Sequence, residues 1–154
     1  MQTEIFEYIK SQRVGVIAVE MPNGSPHAAT VHFAQEENPL TFIFQTSPNY
    51  RKSQALLRKN SVRASLVIGL VEVEGGKEKT FQLDGEARLV QPNEKHFIES
   101  YFDKFTEKRE KTQFSDDIFF VFTPTWWRFT DWAKPEGKTV HNSDGTTTIK
   151  GKLV

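Results

Sequence analysis

The stretch Gln45-Thr46-Ser47-Pro48-Asn49-Tyr50-Arg51-Lys52 sets two hydroxyls just ahead of an adjacent arginine and lysine, where the strand-forming run LTFIF gives way to a helical pattern. Ser47 followed by Pro48 has the composition of a helix start: a hydroxyl N-cap, then a proline where no N–H is needed. A helix over 48–59 puts Arg51 and Lys52 in its first turn. The free N–H groups there already carry partial positive charge, so two cations at this end are unfavourable by themselves. An anion makes each element favourable. Thr46 and Ser47 offer hydroxyl donors, the helix offers N–H groups, and Arg51 and Lys52 can curl back onto the same spot, which is the make-up of a phosphate site. The competing reading is two exposed cations on a solvated turn, at a cost of about a few tenths of a kcal/mol.

Other constellations carry less chemistry. His27 and His32 lie five apart in one strand and so point to opposite faces, and His96 and His141 sit in unrelated segments, so no metal site is expected. Asp84 and Glu86 share a strand face but alternate with Gln82 and Arg88, as surface charge does. No spacing supports a Ser-His-Asp nucleophile. Trp126, Trp127 and Trp132 either stack on a flat ligand or pack at a subunit interface.

The elements that must position these residues follow from periodicity. Ile5, Phe6 and Ile9 form one face of a short helix over 3–12. VGVIAVE (14–20), an Asn23-Gly24 turn and HAATVHFA (27–34) read as a hairpin, and LTFIFQT (40–46) as a third strand. VRASLVIG (62–69) and TFQLDGEARLV (80–90) are further strands; in the second, Phe81, Leu83, Ala87 and Leu89 face one way. Phe97, Ile98, Tyr101, Phe102 and Phe105 recur at helical spacing, TEKREKTQ is a solvated helix end or loop, and DIFFVFTP runs as a last strand into TWWRFTDW (125–132). The polar segment 133–154 is a hairpin or an unstructured tail. About six strands with few helices predict one domain over 1–154, a mainly β (α+β) fold built on a six-stranded antiparallel barrel.

Composition narrows the function classes. Lys+Arg and Asp+Glu are equal at 20 each, which leaves no broad basic face for nucleic acid, so any anion site must be local. The chain has no cysteine, which removes thiol chemistry and thiolate metal sites. The charged, amphipathic first twelve residues lack the apolar core of a signal peptide, and no run approaches a membrane span, so a cytoplasmic protein with no membrane or nucleic-acid partner is expected.

A strand ending in Thr46-Ser47, then Arg51-Lys52 on a helix ending near RKN-x-V, resembles the FMN-binding split barrels related to pyridoxamine 5'-phosphate oxidase. The likeness extends to ATVHF before LTFIFQTS, to VRASLVI, to the Gly-x-Ala-Arg pattern of FQLDGEARLV and to FTPTWWRFTDW, together covering about residues 3 to 132. It implies the six-stranded split-barrel fold and FMN as cofactor, its phosphate held by Arg51, Lys52, Thr46 and Ser47. Thr30, Val31, His32 and Phe33 would run along the isoalloxazine edge, with Phe44 and Gln45 near the ring or ribityl chain. It also implies a homodimer with FMN at the subunit interface, to which Trp132 of WWRFTDW would contribute, and a small-molecule substrate. His32 either tunes the ring or donates a proton there, or is a histidine on the barrel surface. Where the oxidases carry a flavin-contacting glutamine ahead of the Gly-x-Ala motif, this chain has Thr80, and it ends IKGKLV without the Arg-x-His that grips the vitamer. Vitamer oxidation is therefore not expected. The reading is a flavin-dependent oxidoreductase; the alternatives are a non-catalytic flavin-binding or stress/redox-sensing protein, or a split barrel that binds haem or a deazaflavin.

Overall fold

The structure, a computed structural model, describes residues 1–69, 74–112 and 115–154. In chain order the elements are α1 (Thr3–Ser11), β1 (Val14–Glu20), β2 (Pro26–Glu37), β3 (Leu40–Thr46), α2 (Arg51–Arg58), β4 (Val62–Ile68), β5 (Lys79–Leu89), α3 (Lys95–Lys104), α4 (Thr106–Thr112), β6 (Ile118–Asp131), β7 (Thr139–Asn142), β8 (Thr147–Ile149) and β9 (Lys152–Leu153). The strands hydrogen-bond in the order β3-β2-β1-β4-β5-β6-β7-β8-β9, and β3 also pairs with β6. That extra pairing closes the first six into an antiparallel barrel. The segment after residue 132 is no loose tail: β7, β8 and β9 extend the far end of β6 as a meander turning at Ser143-Asp144-Gly145. Among the described residues no helix is long and apolar enough to cross a membrane.

Alternation fills the barrel. Ile17 and Val19, Val31 and Phe33, Phe42 and Phe44, Leu66 and Ile68, Phe81 and Leu83, and Phe120 and Phe122 all point inward, and the α1 face of Ile5 and Ile9 joins the same core. Strands β2, β3 and β6 are buried on their outer side too, because α3 lies across them. Ala34, Ile43 and Val121 there meet Tyr101, Phe102 and Phe105. Burial on both faces is why LTFIF and IFFVF are continuous apolar runs. Arg88 at the end of β5 anchors α3 through two 2.7 Å hydrogen bonds to the carboxylate of Glu94. TEKREKT forms a helix of its own, α4, where the sequence predicts a solvated helix end or loop; Gln113, the last residue of that sequence motif, lies outside the described residues.

Strand β6 changes face midway. Phe120 and Phe122 point inward, but so do Trp127 and Phe129, an odd number of residues later. The switch falls where Asp84 pairs with Trp126 and Gly85 with Pro124, leaving Thr125 as the extra residue of a β-bulge. Gly85 is what permits it: a Cβ at this position would sit 2.2 Å from the carbonyl oxygen of Thr123.

Helix α2 starts later than the Ser-Pro pair predicts. It begins at Arg51, with Tyr50 as an N-cap that makes no side-chain capping bond. The carbonyl of Ser47 accepts the Tyr50 N–H at 3.3 Å and the Ser53 hydroxyl at 2.7 Å, so Ser47 opens a turn with Pro48 in its second position. Serine and proline suit such a turn as well as they suit a helix start, and the Ser53 hydroxyl decides between them.

Candidate functional site

A cleft of ≈ 570 Å³ opens on the outer surface of the barrel, between β2, the end of β3, the first turn of α2, and α4. Its walls are Thr30, Val31 and His32 of β2, Gln45 and Thr46 of β3, Ser47, Tyr50 and Lys52 beyond it, then Glu107, Lys108 and Lys111 of α4, with Ser115 and Asp117 ahead of β6. The volume lies within the range of about 300–1,000 Å³ usual for small-molecule sites.

Two groups at the α2 end are left unsatisfied by the protein. The hydroxyl oxygen of Thr46 is buried and has no hydrogen-bond partner among the described residues. Lys52, only 6% exposed, rests its ammonium 4.6 Å from the centre of the Tyr50 ring, and among the described residues no carboxylate pairs with it. Burial pushes the Lys52 amine below the ordinary lysine pKa. A buried hydroxyl without a partner costs about 1–3 kcal/mol, and a desolvated cation without an anion adds to that. Both costs fall when an anion enters at the start of α2, so the residues present fit a phosphate group.

The carboxylates of the cleft are already engaged. Asp117 accepts a hydrogen bond from the Gln45 amide at 2.9 Å, and Glu107 is in a close ion pair with Arg13. Lys108 donates to the Tyr101 hydroxyl at 3.0 Å. His32, on the outward face of β2, sets its ring edge-on to Phe105, with centroids 5.6 Å apart and planes at 83°. Burial first, then the charges of Lys108 and Arg13, pull its pKa below the usual imidazole value against an opposing push from Glu107. These influences favour the neutral imidazole over its cation.

The structure brings together seven of the residues singled out by sequence: Thr30, Val31, His32, Gln45, Thr46, Ser47 and Lys52. Arg51 does not join them. Neighbours on a helix are about 100° apart, so with Lys52 turned into the cleft, Arg51 is left exposed to solvent. Phe33 and Phe44 are fully buried inside the barrel, Phe44 stacked on Phe120 at 4.7 Å, and their side chains do not reach the cleft. Thr80 pairs with Thr130 near the end of β6, and Trp132 lies just beyond, whereas Thr46 pairs with Ile118 at its start. Within one chain neither lines the cleft. Sequence reasoning missed Tyr50 and the whole α4 wall; the spacing of Lys108 and Lys111, which puts them on one helical face, is the signal that could have found it.

A second groove, of ≈ 510 Å³, crosses the outer face of β1, β4 and β5. Its polar groups already satisfy one another: Arg63 pairs with Glu20 at 2.9 Å and the Ser65 hydroxyl donates to Asp84 at 2.6 Å. Only the first cleft holds unpartnered polar chemistry of these two.

Similar solved structures share this fold at low identity. A conserved hypothetical protein from Mycobacterium tuberculosis is 20% identical with a TM-score of 0.67, over 85% of this chain and 84% of that one. A protein related to general stress protein 26, of the pyridoxine phosphate oxidase family, from Clostridium acetobutylicum is 16% identical with a TM-score of 0.64, over 92% and 93%. The haem storage protein of Vibrio cholerae is 17% identical with a TM-score of 0.60, over 80% and 89%. No curated protein matches the chain by sequence. Residues 1–131 match the pyridoxamine 5'-phosphate oxidase family, and that match, spanning the whole barrel, shows that the chain belongs to this family.

Proposed function

We propose that the protein binds FMN in the β2–β3–α4 cleft and serves in the cytoplasm as a flavin-dependent oxidoreductase acting on a small molecule. The observation that carries this reading is the pairing of the orphaned Thr46 hydroxyl with the unpaired, buried Lys52 at one end of a cleft of cofactor size. Lys52, Thr46 and Ser47 would hold the phosphate, while Thr30, Val31, His32 and Gln45 line the space left for the ring and ribityl chain. The flavin would supply the redox chemistry. The chain's own residues would bind and orient it and exclude water, and none need act as nucleophile.

We place FMN at the interface of a homodimer, where Thr80 and Trp132 of a second copy become available to complete the site. The exposed Trp126 and Trp132 support this assembly.

The experiment is an absorption spectrum of the purified protein, followed by titration with FMN and riboflavin. FMN binding, with the yellow two-banded spectrum, supports the reading, and turnover with a nicotinamide donor and an acceptor separates an enzyme from a flavin store. Haem is the competing ligand because the Vibrio cholerae relative stores it. A protein that takes up haem and leaves FMN free in solution would replace the flavin reading.

A further inference from the structure

Of the thirteen residues that line the cleft, His32 is the single imidazole, the one side chain there whose ordinary pKa lies between pH 5 and 8. Its setting is built around one ring. Phe105, fully buried where α3 passes into α4, meets His32 with the two ring planes at 83° and has two cations against its ring: the Arg13 guanidinium at 4.5 Å from the centroid and the Lys108 ammonium at 4.8 Å. Arg13 reaches in from the segment before β1, and Lys108 from α4. Glu107, the carboxylate facing this cluster, is tied to Arg13. Lys52, Lys111 and Asp117 share the cleft further along its walls.

Two cations on the ring that His32 packs against bias its imidazole towards the neutral form, which can accept a proton. Negative charge arriving in the cleft reverses the balance, because an anion close to an imidazole favours its protonated form. We propose that His32 is the redox-linked proton acceptor of the cleft, taking up a solvent proton when the bound flavin is reduced. This rests on the flavin reading above. In the balanced step a two-electron reductant delivers two electrons, the flavin takes one proton and keeps one negative charge, and His32 takes the second proton and becomes the compensating cation.

The test uses the FMN-loaded protein reduced by dithionite against a reference dye at a series of pH values between 6 and 9. For a two-electron couple each proton taken up contributes about 30 mV per pH unit. The expected slope for the wild type is about 60 mV per pH unit at the acid end of the range, falling to about 30 mV at the alkaline end, and for His32→Gln about 30 mV throughout. A wild-type slope of about 30 mV at every pH, or a variant that keeps the steeper slope, overturns the proposal. Should the variant fail to fold, the wild type is photoreduced in weak buffer at pH 6.5 with an indicator dye, and the absorption of the reduced flavin is read alongside, with the protons of the photoreductant subtracted. Two protons with the anionic hydroquinone spectrum support the proposal, whereas one proton, or two with the neutral hydroquinone spectrum, overturns it. Failure of FMN to bind at all is seen in the spectrum before any reductant is added, and it removes the flavin reading and this inference together.

Discussion

The Lys52 ammonium lies 4.6 Å from the centre of the Tyr50 ring, so the α2 cation that lines the cleft rests on an aromatic face and, among the described residues, on no carboxylate. A ring face compensates a desolvated charge by about 0.5–2 kcal/mol, less than a phosphate dianion offers. Lys52 is thus placed to exchange one partner for a better one.

This separates two adjacent cations that sequence alone treats alike. Lys52→Ala is expected to weaken FMN by about 30- to 1,000-fold, the equivalent of about 2–4 kcal/mol for a lost charge-assisted contact. Arg51→Ala, at an exposed position outside the cleft, should cost less than about 1 kcal/mol. Riboflavin, with the same ring and no phosphate, should bind all three proteins equally. Flavin fluorescence titrations measure each affinity, and equal losses of FMN and riboflavin would reduce Lys52 to a packing residue.

Thr46→Val should move stability and binding in opposite directions. The hydroxyl has no partner among the described residues, so an isosteric methyl removes a desolvation cost and is expected to stabilise the ligand-free protein by about 1 kcal/mol. The same change removes a phosphate donor and should weaken FMN about tenfold. Urea unfolding without ligand and a flavin titration give the two signs. A destabilised ligand-free protein would mean that the hydroxyl has a partner, such as an ordered water.

Gly85→Ala is expected to destabilise the barrel by about 1–3 kcal/mol, because the new Cβ meets the Thr123 carbonyl at 2.2 Å and the β5–β6 bulge has to open. Gly24→Ala, in the β1–β2 turn, makes a useful contrast. Its φ of +83° strains an alanine, but nothing lies within 4 Å, so about 1 kcal/mol is expected. Chemical denaturation of both variants ranks them. If Gly85→Ala proves the milder, backbone approach is not what the glycine serves.

The bulge also marks where the sequence stops being readable. The alternation of FQLDGEARLV and the aromatic spacing of α3 were legible because each obeys one period throughout. In β6 the period shifts by one residue at Thr125, for a reason that resides in another strand, so WW could not be divided into an inward Trp127 and an outward Trp126. The candidate site divides the same way. Thr30 to His32 and Gln45 to Ser47 were found through their motif. Lys108 and Lys111 were hidden because a charged helix reads as solvated until α3 is known to turn α4 back over β2.

The Arg88–Glu94 pair gives a pH dependence with a definite sign. Hydrogen bonding from the Arg88 guanidinium holds the Glu94 carboxyl at about 2, against an ordinary value of 4.5. A carboxylate whose pKa is depressed by folding stabilises the fold above the unfolded value, so the contribution is complete above pH 4.5 and fades as the pH falls towards about 2. Both side chains are partly exposed, which limits the effect to about 1 kcal/mol. Glu94→Gln should be less stable than wild type by that amount at pH 7, with the gap shrinking as the pH falls through about 2. Urea midpoints across this range give the comparison, and a constant gap between the two proteins would show that the pair is not what titrates.

The last prediction concerns assembly. Trp126 on β6 and Trp132 just beyond its end remain 39% and 38% exposed, whereas Phe120, Phe122 and Phe129 of the same strand are buried. Exposed tryptophans at the end of β6 away from the cleft are what an isologous interface would cover, and such an interface would carry them to the cleft of the other copy. Sedimentation equilibrium at micromolar concentration should therefore return twice the chain mass of 17.7 kDa. Trp126→Glu, which sets a charge on that face without entering the core, should shift the mass towards the monomer and weaken FMN and riboflavin together, because it acts on the ring's enclosure and not on the phosphate. That parallel loss contrasts with the selective loss expected for Lys52→Ala. A wild-type monomer that binds FMN at full affinity would place the whole site within one chain, and Thr80 and Trp132 would then have no part in it.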